Sequence, residues 1–137
     1  MNCIFCEIAA HHASAEILFE SENVISFLDI NPVNYGHALV IPKNHYEVFA
    51  DVPQHEFDEL MYAVQKIFEA VKISLNADGI NIVSNNGRAA GQSVFHFHFH
   101  IIPRFDNDNF KINLNLKRYQ NGLMKEFADK IRSKIIS

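Results

Sequence analysis

Tryptophan is missing from this 137-residue chain, and cysteine, proline and glycine are scarce, at two, four and five. The two cysteines, Cys3 and Cys6, lie in a single C-x-x-C; a secreted disulfide scaffold spreads several pairs along its chain, so a reducing compartment is expected. Low-complexity segments and internal repeats are absent as well. Positive charge is not in excess: the formal net charge is −4, which argues against a broad nucleic-acid-binding face and leaves a local anion pocket open. No basic start leads into an apolar run with a small-residue cleavage site, and no apolar stretch approaches the length of a bilayer span. The expectation is a soluble, cytoplasmic protein with neither nucleic-acid nor membrane partner. Its length suits one domain, 1–137, that buries roughly two thirds of its extended surface without a staple.

Histidine is what the chain has in a pattern. In Gln92-Ser93-Val94-Phe95-His96-Phe97-His98-Phe99-His100-Ile101-Ile102-Pro103 three imidazoles alternate with bulky apolar residues. Side chains two apart on a strand point the same way, which predicts His96, His98 and His100 on one face, roughly 6 to 7 Å apart, and Phe97, Phe99 and Ile101 in the core. An exposed strand face more cheaply carries Thr, Lys or Glu than a side chain titrating near neutrality. Chemistry is therefore expected on the histidine face.

The rest of the chain supplies a frame. Residues 3–12 have a helix-like repeat, Glu16–Glu20 and Val24–Ile30 read as two strands around a polar turn, and His37–Ile41 reads as an apolar strand closed by Pro42-Lys43. Asp51 is a candidate N-cap near Pro53 for a long helix whose Phe57, Leu60, Met61, Val64, Ile67, Phe68 and Val71 recur at helical spacing and are read as core. Ile80–Ser84 makes another strand, residues 106–119 read as extended or mobile, and Leu123, Phe127, Ala128, Ile131 and Ile135 mark an amphipathic terminal helix. This order predicts an α+β fold: a mainly antiparallel sheet with a long central helix and a C-terminal helix.

Three local features admit more than one reading. Cys3 and Cys6 supply half of a tetrahedral zinc site, or two buried thiols, or a redox pair. Asp29 shares a strand face with Ile25 and Phe27, as a carboxylate beside a nucleoside or as a cap on the turn at Asn31-Pro32. Asn85–Gly91 is a small-residue loop whose backbone amides can approach a phosphate.

The run His-Phe-His-Phe-His-Ile-Ile fits the signature of the histidine triad (HIT) family of nucleotide-binding hydrolases and transferases. The resemblance extends through Asp29-Ile30-Asn31-Pro32, Gly36–His45 and Asn85-Asn86-Gly87, and so covers about residues 3–105, with 106–137 as a C-terminal extension. It is closest to the bacterial-type, zinc-bearing branch, which implies structural Zn2+ on Cys3, Cys6, His45 and His96. It implies a purine nucleotide site in which Ile4, Phe5, Ile8, Phe27 and Ile30 line the base pocket, Asp29 meets the ribose, Asn85 lies on the sugar or phosphate side, and Gly91, Gln92 and Ser93 approach the phosphate or leaving group. It implies His98 as nucleophile, with His100 and Ser93 at the leaving group and His37 in support, and a symmetric homodimer. The implied reaction is hydrolysis of a nucleoside monophosphate (AMP or GMP) from a leaving group at the α-phosphorus, foremost from phosphoramidates. Two alternatives stay open: dinucleoside polyphosphate cleavage, favoured by Arg104 after the triad, and a regulatory nucleotide-binding module with incidental turnover.

Overall fold

Ala38-Leu39-Val40-Ile41-Pro42 is buried at every position, as a strand must be when both faces of its sheet are covered. That strand, β3 (Ala38–Pro42), lies at the centre of a five-stranded antiparallel sheet ordered β1-β2-β3-β5-β4, with β1 Ile17–Glu20, β2 Val24–Leu28, β4 Gly79–Val83 and β5 Phe99–Arg104. The computed structural model describes residues 2–135. Helices α1 (Ile4–Ala9), α2 (Gln54–Leu75) and α3 (Leu123–Arg132) complete the order, an α+β architecture as predicted.

Two cores follow from the period-two alternation of the central strands. Val24, Ala38, Val40, Phe97, Phe99 and Ile101 pack with Leu60, Ala63, Val64, Ile67 and Val71 of α2 on one side of the sheet. On the other, Ile25, Phe27, Leu39 and Ile41 pack with Phe5 and Ile8 of α1. The aromatic residues of the histidine run thus face α2, and its imidazoles face α1.

Several sequence expectations need correction. Met61 is 41% exposed and lies outside the α2 stripe; the stripe is centred on Leu60, Val64, Ile67 and Val71, which leaves Met61 at its margin. The N-cap of α2 is Pro53, not Asp51, because Asp51 closes a preceding 3-10 turn through Val48 and the chain must still reverse at Pro53. Asn76 ends the helix in a left-handed conformation, a usual C-terminal device. The triad is not one continuous strand. Pairing of β3 with β5 stops at Val40↔Phe99, and beyond it the Phe97 amide donates to the Tyr46 carbonyl instead, so only His100 lies in β5.

The C-terminal segment leaves the sheet through a clasp. Arg104 donates from Nε and one terminal nitrogen to both oxygens of Asp108, and further to Asn81 and the Phe110 carbonyl. The guanidinium holds the Asp108 carboxyl well below the usual carboxylate range. Residues 111–120 carry no regular element, and α3 buries none of its residues.

Candidate active site and metal centre

Two clusters lie along β3 on the side of the sheet that α1 covers, one by Pro42 at the end of the strand and one by His37 just before its start. The first joins Cys3 and Cys6 of the α1 start to His45 and His96, and its four ligand atoms all lie within 4.8 Å of one another. Cys3 Sγ is 3.4 Å from His96 Nδ1, Cys6 Sγ 3.5 Å from the same atom, and Cys6 Sγ 3.3 Å from His45 Nδ1. Bonds of about 2.3 Å to sulfur and about 2.1 Å to nitrogen at tetrahedral angles separate ligand atoms by about 3.6 Å, so the spacing suits zinc.

The tautomer suits it too. His96 Nε2 sits 2.7 Å from the Pro42 carbonyl oxygen, which accepts only, so this nitrogen carries the proton and Nδ1 presents its lone pair to the sulfurs. Burial pushes His96 down to about 4 and the Cys6 thiol up to about 11. A neutral imidazole is a ready ligand, whereas the Cys6 thiol needs a cation to ionise it. Cys3, Cys6, His45 and His96 therefore form a group able to bind a metal.

The second cluster holds no sulfur. His98 Nδ1 stands 2.7 Å from the His96 carbonyl oxygen, so it donates there and leaves Nε2 deprotonated. His37 accepts from the Val33 amide at Nδ1, 3.1 Å, which puts its proton on Nε2. That proton is donated to His100 Nδ1 at 2.9 Å, and His100 in turn carries its own proton on Nε2. One chain of backbone constraints thereby sets two adjacent imidazoles in opposite roles, His98 Nε2 an acceptor and His100 Nε2 a donor. Their ring centroids are 4.8 Å apart, closer than regular strand spacing would give. Burial holds His37 and His98 below the ordinary histidine value and takes His100 to about 4, so all three are neutral at pH 7.

His37 owes its place to Gly36, where φ is +96° and a Cβ would collide with Leu75. Asp29 Oδ2 lies 3.6 Å from His37 Nε2, while Oδ1 accepts from the Asn31 amide at 2.8 Å. The carboxylate thus caps its turn with one oxygen and faces the imidazoles with the other.

A cleft of about 470 Å³ opens in front of this cluster. Of the residues singled out in the sequence, Ile4, Phe5, Ile8, Phe27, Asp29, Ile30, Ser93, His98 and His100 line it. Ile30 stands at its rim, 89% exposed. Asn85, Gly91 and Gln92 are not among the lining residues. Gln92 is occupied elsewhere: its Oε1 accepts from the Gly87 amide, its Nε2 donates to the Glu47 and Val94 carbonyls, and its own amide donates to Gly87. It braces the loop that presents Ser93, a role that no local sequence signal announces because Glu47 is 45 residues away.

The HIT domain profile matches residues 10–107. An uncharacterised HIT-like protein of Methanocaldococcus jannaschii is 52% identical over 106 residues, 77% of this chain and 81% of that one. Adenylylsulfatase HINT3 of Arabidopsis thaliana is 36% identical over 125 residues, 91% of this chain and 64% of that one. The crystal structure of a HIT-family member from Bacillus subtilis aligns over 100% of this chain and 99% of that one with a TM-score of 0.93 at 37% identity. A histidine triad nucleotide-binding protein from Candida albicans aligns at 0.86 and 30%, covering 97% of this chain and 96% of that one. A zinc-bound histidine triad protein from Mycobacterium smegmatis aligns at 0.76 and 37%, covering 97% of each.

Proposed function

The chain belongs to the HIT domain family, and from that premise we propose that it is a nucleotide-binding hydrolase, cytoplasmic and dimeric, that releases a purine nucleoside monophosphate from an amine. The observation that carries this reading is the pair of opposed tautomers, an acceptor at His98 Nε2 beside a donor at His100 Nε2. A relative named for adenylylsulfate cleavage and a structural neighbour named for nucleotide binding support the same class.

The mechanism follows from the atoms. The base lies against Phe5, Ile8 and Phe27, and the ribose hydroxyls approach the free oxygen of Asp29. His98 Nε2 attacks the α-phosphorus, and the phosphorus–nitrogen bond to the leaving group breaks. The departing nitrogen takes one proton, from Ser93 or from His100 Nε2, and leaves as a free amine. Water then attacks the phosphorus, the phosphorus–Nε2 bond to His98 breaks to release the nucleoside monophosphate, and one proton of the water returns to Ser93 or His100, whichever protonated the amine. With the Gln92 amide turned to Gly87, oxyanion stabilisation falls to His100 and to the Ser93 side of the loop.

Cys3, Cys6, His45 and His96 would hold zinc, which would clamp α1 to the triad segment; no chemical step needs it there. The homodimer would cover the free edge of β4 and the exposed Met61 and Tyr62 of α2. We read residues 1–137 as one domain whose 106–137 segment extends it.

Dinucleoside polyphosphate cleavage is the weaker reading, because Arg104, its motive, spends four donated bonds on Asp108, Asn81 and the Phe110 carbonyl. A panel of adenosine phosphoramidates, acyl-adenylates and diadenosine polyphosphates at equal enzyme concentration tests the choice. Saturable turnover is expected first on phosphoramidates; binding of AMP without turnover of any member leaves only a binding module.

A further inference from the structure

A second cleft, of about 760 Å³, lies on the other side of Ser93. It shares Ile4, Ser93 and Val94 with the first cleft, so the two adjoin, with the segment that carries Ser93 as the saddle between them. Whatever is attached to a phosphorus at His98 and passes Ser93 arrives here.

The walls beyond the saddle have a distinct chemistry. Phe95 joins Ile4 and Val94 as apolar surface, while Glu7 and Glu47 are its carboxylates, and neither lysine nor arginine is among the lining residues. His12 Nδ1 stands 3.7 Å from Glu7 at an exposed position, and Cys3 and His45 of the metal cluster also line the cleft. Each wall is fixed by a contact already described. Glu7 rides on α1, whose first residues reach His96 through Cys3 and Cys6. The backbone of Glu47 accepts from Gln92 Nε2, which ties it to the segment carrying Ser93. The backbones that carry the two glutamates, the saddle and the reactive imidazole are therefore tied together, and both glutamate side chains are exposed.

We propose that this cleft receives the leaving group, and that Glu7 and Glu47 select one that carries a positive charge on an apolar body, such as an amine with a second ammonium at its far end. The proposal rests on the hydrolase reading above and narrows its substrate. A polyphosphate tail entering the same cleft meets two like charges and neither lysine nor arginine on the lining, which disfavours it.

Three adenosine phosphoramidates built on one phenethylamine body decide the matter, with a para aminomethyl, a para hydrogen or a para carboxylate. The wild-type protein is expected to prefer the ammonium over the carboxylate by about tenfold in kcat/KM, the neutral compound lying between. Glu7→Gln/Glu47→Gln should bring the three within about twofold, and 0.5 M salt should compress the wild-type order in the same direction. Turnover with no charge order in the wild type, or the same order kept in the double variant, overturns the cleft assignment and leaves the hydrolase standing. Should none of the three turn over, the hydrolase reading fails. The cleft is then judged by competition binding of uncleavable sulfamoyl-adenosine analogues bearing the same three tails, where an absent charge order overturns it as well.

Discussion

His96 and His100 stand four residues apart, one buried and one half-buried, both pushed down to about 4 chiefly by loss of solvent, yet they belong to different chemistries. The difference lies in the nitrogen facing away from each site. His96 gives its Nε2 proton to Pro42 and turns Nδ1 to two thiols. His100 receives a proton at Nδ1 from His37 and turns Nε2–H outward. Residue type is the same and both rings are drawn from solvent, so the role of a histidine here is set by which backbone or side-chain partner fixes its tautomer.

The sharpest way to separate the two clusters is to remove one imidazole from each. His98→Ala should lower phosphoramidate turnover by roughly 10⁴-fold or more while AMP affinity stays within about threefold, measured by burst kinetics and calorimetry. Should affinity and turnover fall together in a folded protein, His98 is a binding residue. His96→Ala should do the reverse: bound zinc, about one per chain in the parent by metal analysis, should disappear and the melting temperature drop by roughly 10 °C or more. A parent without zinc, melting alike with and without chelator, would reduce the cysteines to buried thiols.

Acid sharpens the comparison further. Unfolded, His100 binds a proton near the ordinary histidine value of about 6.5; folded, it resists until about 4, for burial and for the nearby His98 and His37, with Asp29 opposing. Between those values the unfolded chain holds more protons, so this contribution to stability is complete above about pH 6.5 and is lost as pH falls toward 4. His37, lowered for the same reason, acts in the same direction. Melting temperatures from pH 7.5 to 4.5 should decline, and His100→Gln should flatten part of the slope, a loss on the order of 1–3 kcal/mol. An unchanged slope in that variant would place the sensitivity elsewhere.

Asp29→Ala should give the smallest effect, about tenfold weaker AMP binding, with AMP and its 2′,3′-dideoxy analogue then alike. Equal affinity for both in the parent would take Asp29 out of the ribose site. A modest destabilisation should accompany the variant, since Asp29 Oδ1 also holds the Asn31 amide.

The sequence made the sheet and much of the nucleotide cleft legible because both depend on short periods. Alternation along residues 24–28, 38–42 and 97–101 sorts side chains between two cores, and the observed cores match it. Asp29 is the turn cap that one of its sequence readings expected, and its other oxygen faces His37. What stayed hidden depended on partners far along the chain. Arg104, a basic residue after the triad in the sequence, is held by Asn81 and Asp108, and the Gln92 side chain braces its loop through Glu47. Even the triad's departure from regular strand geometry comes from Tyr46 and Pro42, whose carbonyls take the Phe97 amide and the His96 ring.

The span from Cys3 to His96 covers 93 positions. On a ribosome adding about 5 to 20 residues per second, the thiols precede their imidazole partner by roughly 5 to 20 s. Until β2 and β3 have followed it α1 has no sheet face to cover, and six residues are too few to hold a helix in water unaided. The apolar seat of the N-terminal segment is therefore complete well before its metal cluster, and an ion captured early can be gripped by two sulfurs at most until His45 and then His96 emerge.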